Sequence, residues 1–310
     1  WTLYRDGEPV ARGDALRGPR KIVGPRERVE YTIPYDYAAL DPAGEYFVTV
    51  QFLLAEDKPW AEAGFVQMEE QLEVKAAGAK PSMTELTARL AAPEVTERNT
   101  GCSGCAADEG DFTEVRGDGF VVTFDNRRGT IHSLEYDGRK VIRDGEGPRL
   151  DALRAPTDND NWAYTRWFEK GLHNLRHTAT ACSRVDNGKG NTVQLMYTVV
   201  SQAPNAARIE GGTSGRYRIV ELTDRPFGEE DFHFVTNQIW TVYPDGSIEL
   251  RAEITSNDPS FVLARLGYSL QLPEELQRYD YYGRGPWNNY NDRMTGSFVG
   301  RYGSTVREQA

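Results

Sequence analysis

The run Thr157-Asp158-Asn159-Asp160-Asn161 places two carboxylates, two amides and a hydroxyl in five consecutive positions. Arg154 precedes it, and Trp162, Tyr164 and Trp167 follow. Such residues can ligate a hard cation, cap a helix, or hold a sugar. A calcium loop needs oxygen ligands at alternating positions, a glycine at the turn and a downstream bidentate glutamate. Asp158, Asp160 and Glu169 imitate that pattern poorly, and the turn glycine is missing. Capping needs only one Asp or Asn to accept from the free N–H groups of a helix start. Sugar binding uses carboxylates and amides on vicinal hydroxyls, with an indole face against the ring's C–H face. Chemistry alone favours a structural loop over a ligand contact and leaves both open. Unaided hydrolysis of a glycosidic bond is a poor fit. A retaining glycosidase needs two carboxyl groups about 5 Å apart in unlike environments. Asp158 and Asp160 point the same way from an open loop, and nothing nearby would raise the pKa of one alone.

A second cluster, "GRGPWNNYNDR" over 283–293, sets Gly283 and Gly285 around Arg284, then Pro286, Trp287, Asn288 and Asn289, Tyr290, Asn291, Asp292 and Arg293. It is not a phosphate loop, because no helix pattern follows to offer a polarised N-terminus. It reads as a demanding loop between strands, locked by Asn, Asp292 and Arg293 on the backbone, ahead of direct ligand contact. Cys102 and Cys105 form one C-x-x-C in a loop-like stretch, and Cys182 stands alone. A zinc site would need two more ligands, and His132, His173, His177 and His233 show no matching spacing. No histidine has a carboxylate partner by spacing either, which counts against sugar mutarotation by a His–Glu pair.

The elements that must position these residues are strands. Asp6-Gly7, Asp137-Gly138 and Pro244-Asp245-Gly246 are turn signals between alternating runs. Strands are predicted in 29–35, 46–54 and 67–74, enough with the first hairpin for an immunoglobulin-like β-sandwich over 1–77. Residues 78–110 are small and polar and read as a linker plus loop, with a brief helix at Thr84–Leu90. From 111 onward long strands recur at 120–142, 191–200, 215–222, 232–256 and 262–272, predicting one large sheet-on-sheet domain over 111–310. The persuasive helix is at about 163–175, directly after the acidic run. The fold class is all-β. A net charge of −11 without a block of either sign argues against nucleic acid and anionic membranes as partners. No apolar run approaches the roughly 18–20 residues needed to span a bilayer. The chain opens at Trp1 inside a strand-like pattern and reads as an excerpt, so the compartment, periplasmic or cytoplasmic, stays open.

In order and context these motifs resemble the C-terminal half of the large β-galactosidases of glycoside hydrolase family two. "RAPTDND" (154–160) is similar to a signature of that family's last domain. "GRGPWNNYNDR" resembles its Gly-x-Gly-Pro-x-Glu-Asn-Tyr-x-Asp-Arg run, and "KPWAEAGF" (58–65) resembles a segment of the preceding domain. The resemblance implies an immunoglobulin-like fourth domain (1–77) followed by a β-supersandwich fifth domain (111–310), the galactose-mutarotase-like fold, truncated at its C-terminus. It implies that the catalytic glutamates, with Mg and a monovalent cation, sit on a TIM barrel outside this chain. No cofactor is expected here. Asp158, Asn159, Asp160, Asn161 and Trp162 become candidates for the substrate rim. Arg154, Gly283, Gly285, Pro286, Asn289, Tyr290, Asp292 and Arg293 become structural-motif residues. Asn288 departs from the family's Glu, and Asn291 from its frequent Pro. The chain contains no Asn-Glu dipeptide, and its cysteines precede Ser103, Ala106 and Ser183, so the family's catalytic contexts are absent. The expectation is a non-catalytic fragment of a retaining β-galactosidase. Its partners would be the barrel of the same polypeptide and, through it, a β-galactoside; a homo-oligomer is left open. The alternative is a free-standing carbohydrate-binding module.

Overall fold

A computed structural model describes residues 1–14, 23–98, 111–185, 190–211, 217–290 and 293–309. Its regular structure is almost entirely antiparallel strand, and it divides into two compact units. The first unit joins Trp1–Pro81 to Gln277–Ala310, and the second is Ser82–Leu276. The last segment, from Gln277, thus groups with the first unit.

The first unit begins with β1 (Thr2–Arg5) and β2 (Glu8–Arg12), joined by Asp6 and Gly7 at φ of 48° and 83°. Both central residues of this tight hairpin need positive φ, which Asp tolerates and Gly adopts freely. β3 (Tyr46–Leu53) and β4 (Val66–Lys75) complete a sheet in the order β2-β1-β3-β4. The strand expected at 29–35 does not form. Pro34 lacks the N–H that a ladder requires, and the segment instead runs into a short turn at Tyr37–Ala39, capped by Asp36. One face of the sheet buries Leu3, Tyr46 and Val48 under Trp1, Ile33, Tyr35 and Leu40.

The second unit opens with a short helix, α1 (Met83–Thr87), held by a reciprocal capping box between Ser82 and Glu85. This lies within the predicted linker, as does β5 (Glu94–Arg98). That strand pairs with β6 (Phe112–Gly117), followed by β7 (Phe120–Asp125), β8 (Thr130–Tyr136) and β9 (Arg139–Lys140) in a five-stranded meander. β10 (Arg149–Asp151) leads into the acidic run and then α2 (Tyr164–Glu169). The helix is shorter than predicted because Gly171 turns left-handed at φ 76°. A Cβ there would stand 2.2 Å from the Ala203 Cβ.

Long strands β11 (Arg176–Val185) and β12 (Val193–Gln202) follow, then the hairpin β13 (Asn205–Gly211) and β14 (Tyr217–Pro226). β15 (Phe234–Val242) and β16 (Ile248–Ser256) finish a four-stranded sheet in the order β11-β12-β15-β16. Alternate residues of β12 and β15 point inward. Leu195, Val199, Trp240 and Val242 form one buried cluster with Val115, Val122 and Phe124 of the meander, the sheet-on-sheet core expected of alternating strands. β17 (Gly267–Ser269) pairs with β10.

The chain ends in β18 (Arg278–Gly285) and β19 (Phe298–Thr305), a hairpin of the first unit. Gln71 of β4 accepts from the Val299 N–H at 2.7 Å and donates to its carbonyl at 2.9 Å. The Tyr282 hydroxyl donates to Glu45 at 2.6 Å, and Arg301 donates to the Asp6 carbonyl at 2.9 Å.

Candidate functional site

The Arg154–Trp167 segment sits over the second unit's other core cluster, built on Leu150, Ala152, Ala163, Trp167, Leu172, Phe232 and Phe234. Between these anchors the acidic run closes on itself. Arg154 donates to Asp160 from both terminal guanidinium nitrogens, Nη1 and Nη2, at 2.5 and 2.9 Å. The Thr157 N–H and hydroxyl donate to the same carboxylate at 2.6 and 2.9 Å. Asp160 is buried and therefore accepts four hydrogen bonds. The Arg154 hydrogen bonds, followed by that from the Thr157 backbone, hold its carboxyl well below the usual carboxylate range. Arg154 also lies over the Trp167 ring at 5.6 Å, and the Trp167 indole N–H donates to the Val262 carbonyl at 2.9 Å. Asp160 is thus a strut fixing a short 3-10 turn over Asp158–Asp160 ahead of α2.

The structure separates the five rim candidates. Asp160 is committed inward. Asp158, Asn159 and Asn161 are exposed, and Trp162 is 67% exposed. Asp158 and Asn159 make no side-chain hydrogen bond among the described residues, so their polar groups are free to face a ligand. Trp162 offers an indole face on a stem locked at both ends. Two open grooves, of about 590 Å³ beside Tyr281 and Tyr302 and about 460 Å³ on the outer face of the four-stranded sheet, lie elsewhere. Neither is lined by residues 154–162.

The described part of the second motif runs from the end of β18 at Gly283–Gly285 to Tyr290, with Arg293 beyond it. Asn289 donates to the carbonyls of Arg284 and Trp287, both at 3.1 Å, and Arg284 donates to the Ser297 carbonyl at 3.0 Å. The Arg293 N–H donates to the Tyr290 carbonyl, and its guanidinium lies 5.4 Å over that ring. Gly285 leaves no room for a side chain, since a Cβ would stand 2.4 Å from the Tyr281 hydroxyl. Gly283 has no such crowding. The Gly285–Pro286 peptide is cis. Trp287 stands 73% exposed at the tip. Asp292 and the Cys102/Cys105 pair lie outside the described residues.

One pairing was not legible from spacing. The His173 Nε2 lies 3.6 Å from Glu221, brought there by the β13–β14 hairpin, and Asn174 donates to the same carboxylate at 2.6 Å. Both His173 nitrogens are buried without a hydrogen-bond partner, against the Phe168 ring. Burial lowers its pKa, opposed by Glu221. The His173 ring nitrogens are buried while the Glu221 side chain stays 39% exposed. Among the described residues no three His, Cys, Asp or Glu side chains gather closely enough to hold a metal ion.

Comparison with known proteins covers both units. The family described as "Beta galactosidase small chain" matches residues 116–310, and "Beta-galactosidase, domain 4" matches residues 1–75. Among similar curated proteins is a β-galactosidase of Priestia megaterium, 26% identical over all of this chain and 25% of the relative. A β-galactosidase of Psychromonas ingrahamii is 25% identical over 99% of this chain and 27% of the relative. One from Lactobacillus delbrueckii subsp. bulgaricus is 25% identical over 92% of this chain and 23% of the relative. The chain thus spans about a quarter of the length of the relatives it matches.

Proposed function

The chain belongs to the β-galactosidase small-chain family, and from that footing we propose that it is the non-catalytic C-terminal portion of a retaining β-galactosidase. It buttresses a catalytic barrel carried elsewhere on the parent polypeptide and lends the loop after Arg154 to the rim of that barrel's substrate site. The observation that carries this reading is coverage: relatives named for one activity match this chain end to end while leaving about three quarters of their own length outside it.

The geometry supports a rim rather than a reaction centre. Hydrolysis with retention needs two carboxyl groups in unlike environments, one ionised and one poised to give up a proton. The Asp160 carboxylate is fully engaged by Arg154 and Thr157, so the loop has no second carboxyl to set against Asp158. What it offers is an exposed indole, a carboxylate and amides on a fixed stem, suited to stacking on a sugar ring and accepting from its hydroxyls. We assign the divalent and monovalent cations of the family to that barrel.

The rim assignment is tested by Trp162→Ala in the parent enzyme. A rim role raises KM for a β-galactoside several-fold at nearly constant thermal stability. An unchanged KM removes Trp162 from the site. The exposed Trp162 also keeps the binding-module reading in view. Titration of the isolated chain with galactose or lactose, followed by Trp fluorescence, separates the two: binding at millimolar or lower concentration that Trp162→Ala abolishes supports the module, and its absence supports the fragment.

A further inference from the structure

The second unit's two apolar clusters are parted by a polar seam on the inner face of β12 and β15. Along β15, Phe234 belongs to one cluster and Trp240 to the other, and Thr236 and Gln238 lie between them. Register sets Val199 opposite Thr236 and Ser201 opposite Phe234. Ser201 and Thr236 are each 1% exposed and Gln238 is 5% exposed. Polar side chains this deep need partners. Gln238 accepts from the Trp240 indole N–H at 2.9 Å and donates to the Tyr268 hydroxyl at 3.4 Å. The Ser201 hydroxyl lies 2.9 Å from Nδ1 of His177 on β11. The Thr236 hydroxyl is buried with no partner among the described residues.

A recess of about 10 Å³ opens on this seam, walled by His177, Ser201, Gln238 and Thr130 together with Arg128 of the β7–β8 turn and Arg149 of β10. That is room for about one water-sized sphere, too little for a sugar, a phosphate or a carboxylate. Two guanidinium groups line it, and among the described residues no carboxylate does. The nearby acids are turned to other partners. Glu146 accepts from Nη1 of Arg149, Asp125 stands 3.7 Å from Nε of Arg128, and Asp151 meets Arg265 and the Leu153 N–H. Nη2 of each recess arginine makes no hydrogen bond among the described residues. The same two arginines act on the histidine in the wall. Burial first, then Arg149 and Arg128, with Asp151 opposing, hold the His177 pKa down to about 4. A neutral water gains little between two like charges, whereas one negative charge relieves both.

We propose that this recess holds one monatomic anion of chloride's size, bound between Arg128 and Arg149 and bridging the β7–β8 turn to β10, the strand that leads into the acidic run. The test soaks crystals of the 310-residue chain in bromide. It also follows the His177 ring by NMR in chloride and in gluconate at equal ionic strength, where general screening is the same. An anomalous bromide peak should appear in the recess, within hydrogen-bond reach of both guanidinium groups. A bound anion favours the imidazolium, so the titration midpoint of His177 should lie about one pH unit higher in chloride than in gluconate. Arg149→Gln and Arg128→Gln should each remove the peak and the chloride effect. Sulfate, too large for the recess, should behave as gluconate does. Equal midpoints in chloride and gluconate overturn the proposal, and so does an empty recess in the bromide crystals. A bromide peak with no chloride effect on His177 is binding at crystal concentration only, and it overturns the proposal as well. Should acid unfold the chain before His177 titrates, Tm at pH 6 decides: chloride must raise it over gluconate, and only with both arginines in place.

Discussion

Replacing Arg154 with Met tests whether the acidic run is a strut. Methionine keeps an unbranched apolar stem against the Trp167 ring and removes the guanidinium. Asp160 would keep its two bonds from Thr157 and lose both from Arg154. Stripping the partner from a buried charge costs about 3–5 kcal/mol in full burial. The side chains here are 28% and 11% exposed, so water offsets part of it and about 2–4 kcal/mol is expected. For a unit of this size that is a fall in Tm of about 5–15 °C. The pH dependence has a definite sign. Asp160 titrates below its ordinary range in the folded state, so the pair's contribution is full above the ordinary carboxylate pKa of about 4 and disappears as pH falls through the lower folded value. The deficit of Arg154→Met should therefore be largest at neutral pH and shrink towards pH 2. Urea unfolding at pH 7 and pH 3, with hydrogen exchange over Thr157–Trp167, reads both. Stability within about 0.5 kcal/mol of the parent chain at pH 7, with unchanged exchange, refutes the strut.

Three further outcomes follow from packing and titration. His177 is pushed down to about 4, first by burial and then by Arg149 and Arg128, and its Nδ1 is 2.9 Å from the Ser201 hydroxyl. Its neutral form is the stable one, so the chain keeps full stability above about pH 6.5 and loses about 2–3 kcal/mol as pH falls to 4. His177→Gln should flatten that portion of the urea profile. Gly171→Ala meets both a left-handed φ and the Ala203 Cβ, and should cost about 2–4 kcal/mol by denaturant titration. Gln71→Ala removes both bonds to Val299; it should cost about 1–3 kcal/mol and speed proteolysis within 278–305.

What was legible in the sequence was local chemistry. Asp6-Gly7, Asp137-Gly138 and Asp245-Gly246 announce their turns because positive φ suits few residues, and the alternation in β7, β12 and β15 marks their buried faces. The 29–35 run looked like a strand from its β-branched and aromatic residues, yet Pro34 interrupts any ladder there. β5 was hidden in a polar, small-residue stretch, from which, among the described residues, Val95 packs against that core cluster. The return of β18 and β19 to the first unit depends on bonds such as Gln71 to Val299, 228 residues apart, and no spacing reports such a contact. The site was half legible. Composition flagged all five residues from Thr157 to Asn161 alike. The Thr-x-x-Asp spacing that closes on itself, and the arginine six residues upstream, are what single out Asp160.

The most direct test is turnover by the purified 310-residue chain on an aryl β-galactoside, alone and mixed with the remainder of the parent polypeptide. The account predicts no turnover alone and activity only where the barrel is present. Turnover by the isolated chain that Asp158→Asn abolishes would contradict it.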